Sequence, residues 1–255
     1  MADAVPKALR DFLREKGRIG LAFSGGTDSA YLMYAMRECG ADFVPYIVRS
    51  RFQTASETED AVTLAKELGR SPRVIDADVL SDTRIASNPQ DRCYHCKKLI
   101  FSSIIECASK DGIDLIADGT NASDDPSGRP GMRALEELGI LSPLRVCGIT
   151  KPQVRELSRI AGLPTWDRPS NSCLATRIPS GMPITESSLV RTECSEEEIR
   201  SLGFSGIRVR TTSEGCRFEF TESQRELFDS KKSAVEQILL KYYPSVSYSV
   251  REPGL

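Results

Sequence analysis

The stretch Ile19–Tyr31, IGLAFSGGTDSAY, decides the fold. An apolar run from Ile19 to Phe23 breaks into Ser24-Gly25-Gly26-Thr27-Asp28-Ser29, and a helical pattern follows at once. Paired glycines let a backbone approach a ligand closely and adopt angles closed to other residues. A strand that turns this way into a helix presents free N–H groups and a positive dipole end to an anion. The expected ligand is a phosphate or pyrophosphate; the alternative is an ordinary strand–helix turn of small residues. No Gly-Lys-Ser/Thr closes the loop and it lacks the GxGxxG spacing, so it is neither a Walker A loop nor a dinucleotide fingerprint.

Outward from this loop the pattern alternates. An amphipathic helix over Val5–Lys16 precedes it, with Val5, Ala8, Leu9, Phe12 and Leu13 on one face. After it come a helix over Asp28–Cys39 capped by Gly40, a strand at Phe43–Val48 and a helix at Thr58–Leu68 ended by Gly69. A strand at Arg73–Ile75, a helix at Asp91–Ser109 and a strand at Asp114–Ala117 follow. Strands alternating with long helices imply an α/β fold, a parallel sheet with helices on both faces. Ligands of such sheets sit beyond the carboxyl ends of the strands. That places Ser24–Ser29, Ser50 and Gly119, each just after a strand, at the candidate nucleotide site.

Asp124–Gly131 is a loop dense in turn residues, followed by helices at Met132–Leu138 and Lys151–Ala161. Gly162–Pro183 holds four prolines and two glycines and reads as irregular. It leads to a smaller α+β domain with helices at Glu186–Leu202 and Ser230–Tyr242 and strands at Gly206–Thr211, Arg217–Thr221 and Ser245–Val250. The expected division is residues 1–165 and 166–255.

The 255 residues carry 34 Lys plus Arg against 36 Asp plus Glu. That balance argues against a large nucleic-acid footprint. No run approaches the roughly 20 apolar residues of a membrane span. The charged N-terminus does not resemble a secretory signal, so a cytoplasmic protein with reduced thiols is expected. Eight cysteines then read as core residues, metal ligands or reactive thiols rather than disulfides, and the single histidine, His95, excludes mechanisms built on several.

Three motifs carry chemistry. Cys93-Tyr94-His95-Cys96 lies near a helix start, where two thiols share a metal, form a redox pair, or stand at this spacing by coincidence. Cys173 sits in DRPSNSCLATRIP (Asp167–Pro179), between prolines and near Arg177, whose charge would favour the thiolate; the alternative is a buried structural thiol. Arg208-Val209-Arg210 alternates on a strand, so both guanidiniums share a face and could grip phosphate or carboxylate; the alternative is a solvated edge strand. Glu196 and Glu219 could orient those arginines or a substrate, yet each taken alone reads as a surface residue. Cys39, Cys107, Cys147, Cys194 and Cys216 read as structural.

SGGTDS resembles the SGGxDS pyrophosphate loop of the PP-loop ATPases, the adenine nucleotide alpha hydrolase-like fold that splits ATP between its α- and β-phosphates. SGGTDSA, DGTNASD, RPGMRALEELG, SPL, GITKPQVRELSRIAGLPTWDRPSNSCLATRIPSG, IT and RVR follow, in order, the pattern of the LarE family of ATP-dependent sulfur transferases. The resemblance runs from about Gly20 to Phe220. It implies a substrate, pyridinium-3,5-biscarboxylic acid mononucleotide, whose carboxylates become thiocarboxylates during nickel-pincer nucleotide synthesis. It implies ATP and Mg²⁺ at Ser24, Gly25, Gly26, Asp28 and Ser29, a sulfur-donor cysteine at Cys173, and Arg177, Glu196, Arg208, Arg210 and Glu219 around the substrate and sulfur. Thr176 stands where the family often has serine. Cys93, Cys96 and Cys173 resemble a three-cysteine subgroup that holds a [4Fe–4S] cluster, in which one iron stays open for an extra sulfide. A sulfide source, a homo-oligomer (a hexamer) and catalytic rather than sacrificial transfer are implied with it. The rival readings are a PP-loop tRNA thiolase, an ammonia-using PP-loop synthetase, and a non-enzymatic nucleotide-binding protein with a structural zinc.

Overall fold

The structure, a computed structural model, describes residues 4–125, 130–169 and 172–252. In chain order, α1 (Lys7–Arg14) leads to β1 (Ile19–Ala22), α2 (Thr27–Glu38), β2 (Phe43–Arg49), α3 (Ala55–Glu67) and β3 (Arg73–Asp76). A short α4 (Thr83–Ala86) precedes α5 (Arg92–Lys110), β4 (Leu115–Ala117), α6 (Pro130–Glu137), α7 (Pro143–Val146) and α8 (Lys151–Ile160). A 3-10 turn at Leu174–Arg177 is followed by α9 (Glu186–Arg200), β5 (Arg208–Thr211), β6 (Cys216–Thr221), α10 (Arg225–Leu240) and β7 (Val246–Arg251). Two compact units result: Met1–Ser50, Ala55–Val79 and Asp91–Arg168 form one, and Arg51–Thr54, Leu80–Gln90 and Pro169–Leu255 the other.

The first unit is the expected α/β layer structure. Its strands run parallel in the order β3-β2-β1-β4. Side chains alternate across a strand, so β2 sends Phe43 and Ile47 to one face and Tyr46 and Val48 to the other. Leu32, Met33 and Met36 of α2, Leu64 of α3 and Val154 of α8 cover the first face. Phe101 and Ile104 of α5 and Leu135 of α6 cover the second. Each such buried side chain contributes on the order of 1.5–3 kcal/mol. Gly40 caps α2 as expected: at φ +69° it lets Ala41 N–H reach back to Met36 O at 3.0 Å. The order of strands reverses at β1, with β2 on one side and β4 on the other, which opens a crevice at their carboxyl ends.

The second unit pairs β5 with β6 antiparallel and β6 with β7 parallel, α10 making the crossover. Its core is aromatic: Phe220 stacks on Phe228 at 4.3 Å between ring centroids, and Phe204 meets Phe218 edge-on at 5.6 Å. Burial of Phe228 draws α10 back to Arg225, five residues ahead of the expected Ser230. Residues 51–54 and 80–90 also belong here, which the sequence pattern did not foretell. Asn88, fully buried at φ +57°, donates through Nδ2 to Pro179 O (2.8 Å), Met182 O (3.0 Å) and Ile178 O (3.3 Å). Leu174 N–H donates to Phe52 O at 2.9 Å. The chain after Cys173, irregular in sequence, is thus held through its backbone by Asn88 and Phe52, both distant in sequence. Residues 126–129 of the expected Asp124–Gly131 loop, and Ser170 and Asn171 of the cysteine segment, lie outside the described residues. No helix among the described residues is long and apolar enough to cross a membrane.

Candidate active-site residues

In the first unit the site forms where β1 ends. Gly25 sits at φ +71°, and a Cβ there would lie 2.8 Å from Ala61 Cβ, so both conformation and space demand glycine. Gly26 differs. Its φ is −75°, open to any residue, and a Cβ would meet only Ser24 Oγ, at 3.5 Å. Its missing side chain therefore serves no neighbour within the fold; it leaves open the space before the α2 N-terminus. Ala30 N–H is the first along α2 to donate back to a helical acceptor, Gly26 O at 2.9 Å, which leaves the earlier N–H groups facing that space. The two loop hydroxyls brace each other, Ser24 Oγ and Ser29 Oγ standing 3.1 Å apart. Free N–H groups at such a helix end make a cradle that suits an anion.

The β4 loop closes on it. A Cβ on Gly119 would lie 2.8 Å from Ser29 N, so this glycine too permits a close approach. Asp118 is buried and anchors the loop, accepting from Ser142 Oγ at 2.7 Å and Thr120 N–H at 3.1 Å. Asn121 Nδ2 donates to Asp28 Oδ1 at 3.3 Å, and Lys151 Nζ to Asp28 Oδ2 at 2.6 Å. Sequence reasoning missed Lys151. The signal was its place at the start of a helix beside an apolar-periodic run, which names no partner. Ser50 follows β2 directly, at the carboxyl end of the sheet.

Cys93 and Cys96 lie in the first two turns of α5, one turn apart on one side of the helix. Cys93 is exposed and Cys96 half-buried, and buried Arg92 places Nη2 at 3.8 Å from Cys93 Sγ. His95 instead turns towards Asp91, at 3.5 Å. Two thiols so placed suit a metal or cluster as part of its donor set. Among the described residues, no group of three or more His, Cys, Asp or Glu side chains gathers at metal-binding spacing.

In the second unit Cys173, half-buried, stands at the N-cap of the 3-10 turn. Thr176 Oγ1 donates to Cys173 O at 2.8 Å, and Arg177 Nη1 donates to Thr176 Oγ1 at 3.1 Å and to Ser172 Oγ at 2.7 Å. Arg177 Nε meets Glu196 Oε1 at 2.8 Å, and Glu196 also accepts from Arg200 Nη2 (2.7 Å) and Val209 N–H (2.9 Å). Arg210 donates through Nη1 to Thr176 O (2.7 Å) and through Nε to Glu219 Oε2 (2.8 Å). The structure thus joins Cys173, Thr176, Arg177, Glu196, Arg210 and Glu219 in one network.

One local expectation is corrected. Glu196 and Glu219 are not surface residues: they are 0% and 7% exposed. Glu196 shares the face of α9 that buries Leu189, Thr192 and Ile199, a periodicity the surrounding run of glutamates obscures. Arg177, expected to favour the Cys173 thiolate, lies in the same network and pairs with Glu196. Arg208 is the exception: its side chain makes no ion pair or hydrogen bond among the described residues. Burial, and then the guanidiniums of Arg251, Arg177 and Arg210, hold its pKa below the usual arginine range. A half-buried cation among cations is a ready anion site.

A parallel sheet with an SGGTDS loop opening at its reversal point defines a PP-loop α/β protein. No protein-family model matches the chain. It is 33% identical over 214 residues, 83% of this chain and 78% of the other, to the pyridinium-3,5-bisthiocarboxylic acid mononucleotide synthase of Lactiplantibacillus plantarum. It is also 33% identical over 229 residues, 89% and 85% of the two chains, to an uncharacterised protein of Synechocystis. A tRNA-specific 2-thiouridylase of Clostridium botulinum is 25% identical over 185 residues, 60% of this chain and 52% of that one. The chain belongs to the family of the pyridinium-3,5-bisthiocarboxylic acid mononucleotide synthases, the LarE family.

Proposed function

We propose that this chain is an ATP-dependent sulfur transferase acting on pyridinium-3,5-biscarboxylic acid mononucleotide in nickel-pincer nucleotide synthesis. It adenylates the carboxylates and converts them to thiocarboxylates. The observation that carries the reading is the single network that ties the Cys173 segment to Arg177, Glu196, Arg210 and Glu219, with Arg208 left unpaired beside it. Residues 1–165 handle ATP in this reading and residues 166–255 handle sulfur and substrate.

A carboxylate is ionised at pH 7 and needs no base to attack the α-phosphate. Its oxygen bonds to phosphorus, the bond to the β-phosphate breaks, and pyrophosphate departs. The α2 N–H groups and the Ser24 and Ser29 hydroxyls hold phosphate oxygens, while Asp28 and its neighbours would hold Mg²⁺, which supplies charge neutralisation across the phosphates. Arg208 and Arg210 hold the substrate's anionic groups. A sulfur nucleophile then attacks the acyl carbon and AMP leaves with the C–O electron pair.

Cys93, Cys96 and Cys173 are the proposed donor set for a [4Fe–4S] cluster, since such clusters take cysteine thiolates. A cluster held there would supply sulfide as the sulfur nucleophile. Without it, Cys173 itself is the donor: loss of its α-proton and cleavage of its Cβ–S bond leave dehydroalanine and the thiocarboxylate. The test is anaerobic incubation with ATP, Mg²⁺ and the biscarboxylic nucleotide, followed by mass spectrometry of protein and product. Thiocarboxylate, AMP and pyrophosphate with an intact Cys173 support cluster-fed transfer; loss of the elements of H₂S at Cys173 means sacrificial transfer. Absence of both AMP and thiocarboxylate overturns the function. Light scattering on the same preparation tests the homo-hexamer.

A further inference from the structure

Thr27 is the first residue of α2, and its N–H is among the early groups that face the open space. Its hydroxyl is spent elsewhere: Thr27 Oγ1 donates to Thr165 O at 2.7 Å, across 138 positions of sequence. Thr165 lies in residues 163–168, the segment that follows α8 and runs on towards Cys173. Leu163 roots the segment in the core, its N–H donating to Ser158 O at 2.9 Å. Beyond Leu163 the other side-chain holds are exposed. Arg155 donates to Trp166 O at 2.8 Å and Arg168 O at 2.9 Å, and Arg168 pairs with Asp60 at 3.6 Å. Such an exposed pair contributes at most about 1 kcal/mol. The Thr27 bond is buried at both ends, where a hydrogen bond is electrostatically stronger. Thr165 Oγ1, fully buried, finds no partner among the described residues, which costs about 1–3 kcal/mol. The segment is thus held against a standing cost, and the buried hydroxyl that opposes its release belongs to the loop.

We propose that Thr27 couples filling of the SGGTDS loop to residues 163–168, so that ATP in the loop tightens the chain that leads into the cysteine segment. The proposal rests on the reading of the loop as an ATP site. The coupling is entropic. In the empty loop the first-turn N–H groups of α2 lack helical acceptors, and Thr27 must be ordered for its hydroxyl to hold Thr165 O. Phosphate oxygens on those N–H groups fix Thr27, so its bond to Thr165 O then costs less ordering and holds more firmly. By linkage the same free energy favours the nucleotide when the segment is held. No covalent bond changes.

The test is hydrogen exchange of peptides covering residues 162–168, with and without saturating ATP and Mg²⁺, in the full chain and in Thr27→Val, Thr27→Ala and Thr27→Ser. Trp166, the only tryptophan of the chain and 41% exposed, gives a second readout through acrylamide quenching. One neutral hydrogen bond is worth about two- to tenfold in a local opening equilibrium. Wild type and Thr27→Ser are expected to gain protection by that factor when ATP saturates, with Trp166 quenched less. Thr27→Val keeps the shape and the backbone N–H and is expected to lose both responses; Thr27→Ala does the same by a second route that adds no bulk. Calorimetry on each variant establishes that the loop is filled. Responses in Thr27→Val and Thr27→Ala equal to wild type overturn the proposal, since contact of the nucleotide with the segment would then produce them. A wild type that binds ATP without either response overturns the coupling and leaves the ATP site standing. Loss of ATP binding in both hydroxyl-free variants also overturns it, because the hydroxyl would then serve the ligand. A wild type that does not bind ATP overturns the loop's reading and the proposal with it.

Discussion

Glu196→Gln tests what the buried network is worth. Glu196 is fully buried and accepts four hydrogen bonds, from Arg177 Nε at 2.8 Å and Nη2 at 3.3 Å, Arg200 Nη2 at 2.7 Å and Val209 N–H at 2.9 Å. Glutamine keeps the shape, and its carbonyl still serves Val209 N–H and Arg177 Nε. Its amide, however, turns two donors towards Arg177 Nη2 and Arg200 Nη2. The Arg177 guanidinium, 2% exposed, then has no counter-charge. Removing one partner of a buried ion pair costs about 3–5 kcal/mol. Arg200, with 36% of its side chain exposed, adds no more than about 1 kcal/mol.

Trp166 lies in the first unit, so its fluorescence does not report on this loss. Hydrogen exchange of peptides from α9 and β5 does. A 3–5 kcal/mol loss corresponds to a fall in protection of roughly a hundred- to several-thousandfold. A fall under about tenfold refutes the reasoning, because the pair would then be worth no more than an exposed one. Arg177→Met added to Glu196→Gln removes the stranded cation and is expected to recover part of the protection.

The loop glycines separate stability from binding. Gly25→Ala is expected to cost about 1–2 kcal/mol from φ strain alone, with further cost from the approach to Ala61, read as a lowered Tm. Gly26→Ala is expected to leave the Tm within the range of a neutral substitution yet raise the KM for ATP at least about tenfold, by filling the open cradle. Arg208→Ala is expected to leave stability unchanged or raise it, since it removes repulsion with Arg251, Arg177 and Arg210, while raising the KM for the mononucleotide; a lowered Tm with unchanged KM would contradict this. Burial pushes the Cys216 thiol up to about 12. The unfolded chain then loses that proton first, so Cys216 favours the fold below about pH 9, and its contribution falls as pH rises towards 12. Comparing alkaline melts of wild type and Cys216→Ala isolates that slope, which the variant should lack.

The layers of the first unit were legible because period and punctuation agree there. Alternation along Phe43–Val48, helical spacing in Thr58–Leu68 and the glycines that end helices each report a local cause. The glycine loop was legible because paired glycines after an apolar run have few other uses. Glu196 was hidden by Glu193, Glu197 and Glu198, a charge run that resembles a solvated face although its period matches the buried residues. Asn88 and Lys151 were hidden for another reason. Each acts on partners far along the chain, Pro179 and Met182 for one and Asp28 for the other. A local pattern carries no trace of a distant partner. Assignment of residues 51–54 and 80–90 to the second unit escaped on the same ground.

Asp28 and Glu196 are both carboxylates on helices, each held by a basic side chain, and their surroundings fix opposite behaviour. Asp28 is a quarter exposed, accepts one ammonium and one amide, and faces a space that no side chain fills. Water and ions reach it, the effective dielectric is high, and a pair in such a place exchanges partners at little net cost when Mg²⁺ and phosphates offer replacement charge. Glu196 accepts from two guanidiniums and a backbone N–H with no exposed surface, so any exchange would first strand a buried charge. One pair is therefore suited to be displaced by a ligand, and the other to stay fixed while ligands change around it. In the network of the second unit the fixed pairs leave the Arg208 guanidinium without an anion among the described residues. Under the proposed function, a substrate that brings phosphate or carboxylate would supply it, so the mononucleotide's own charge would complete that network.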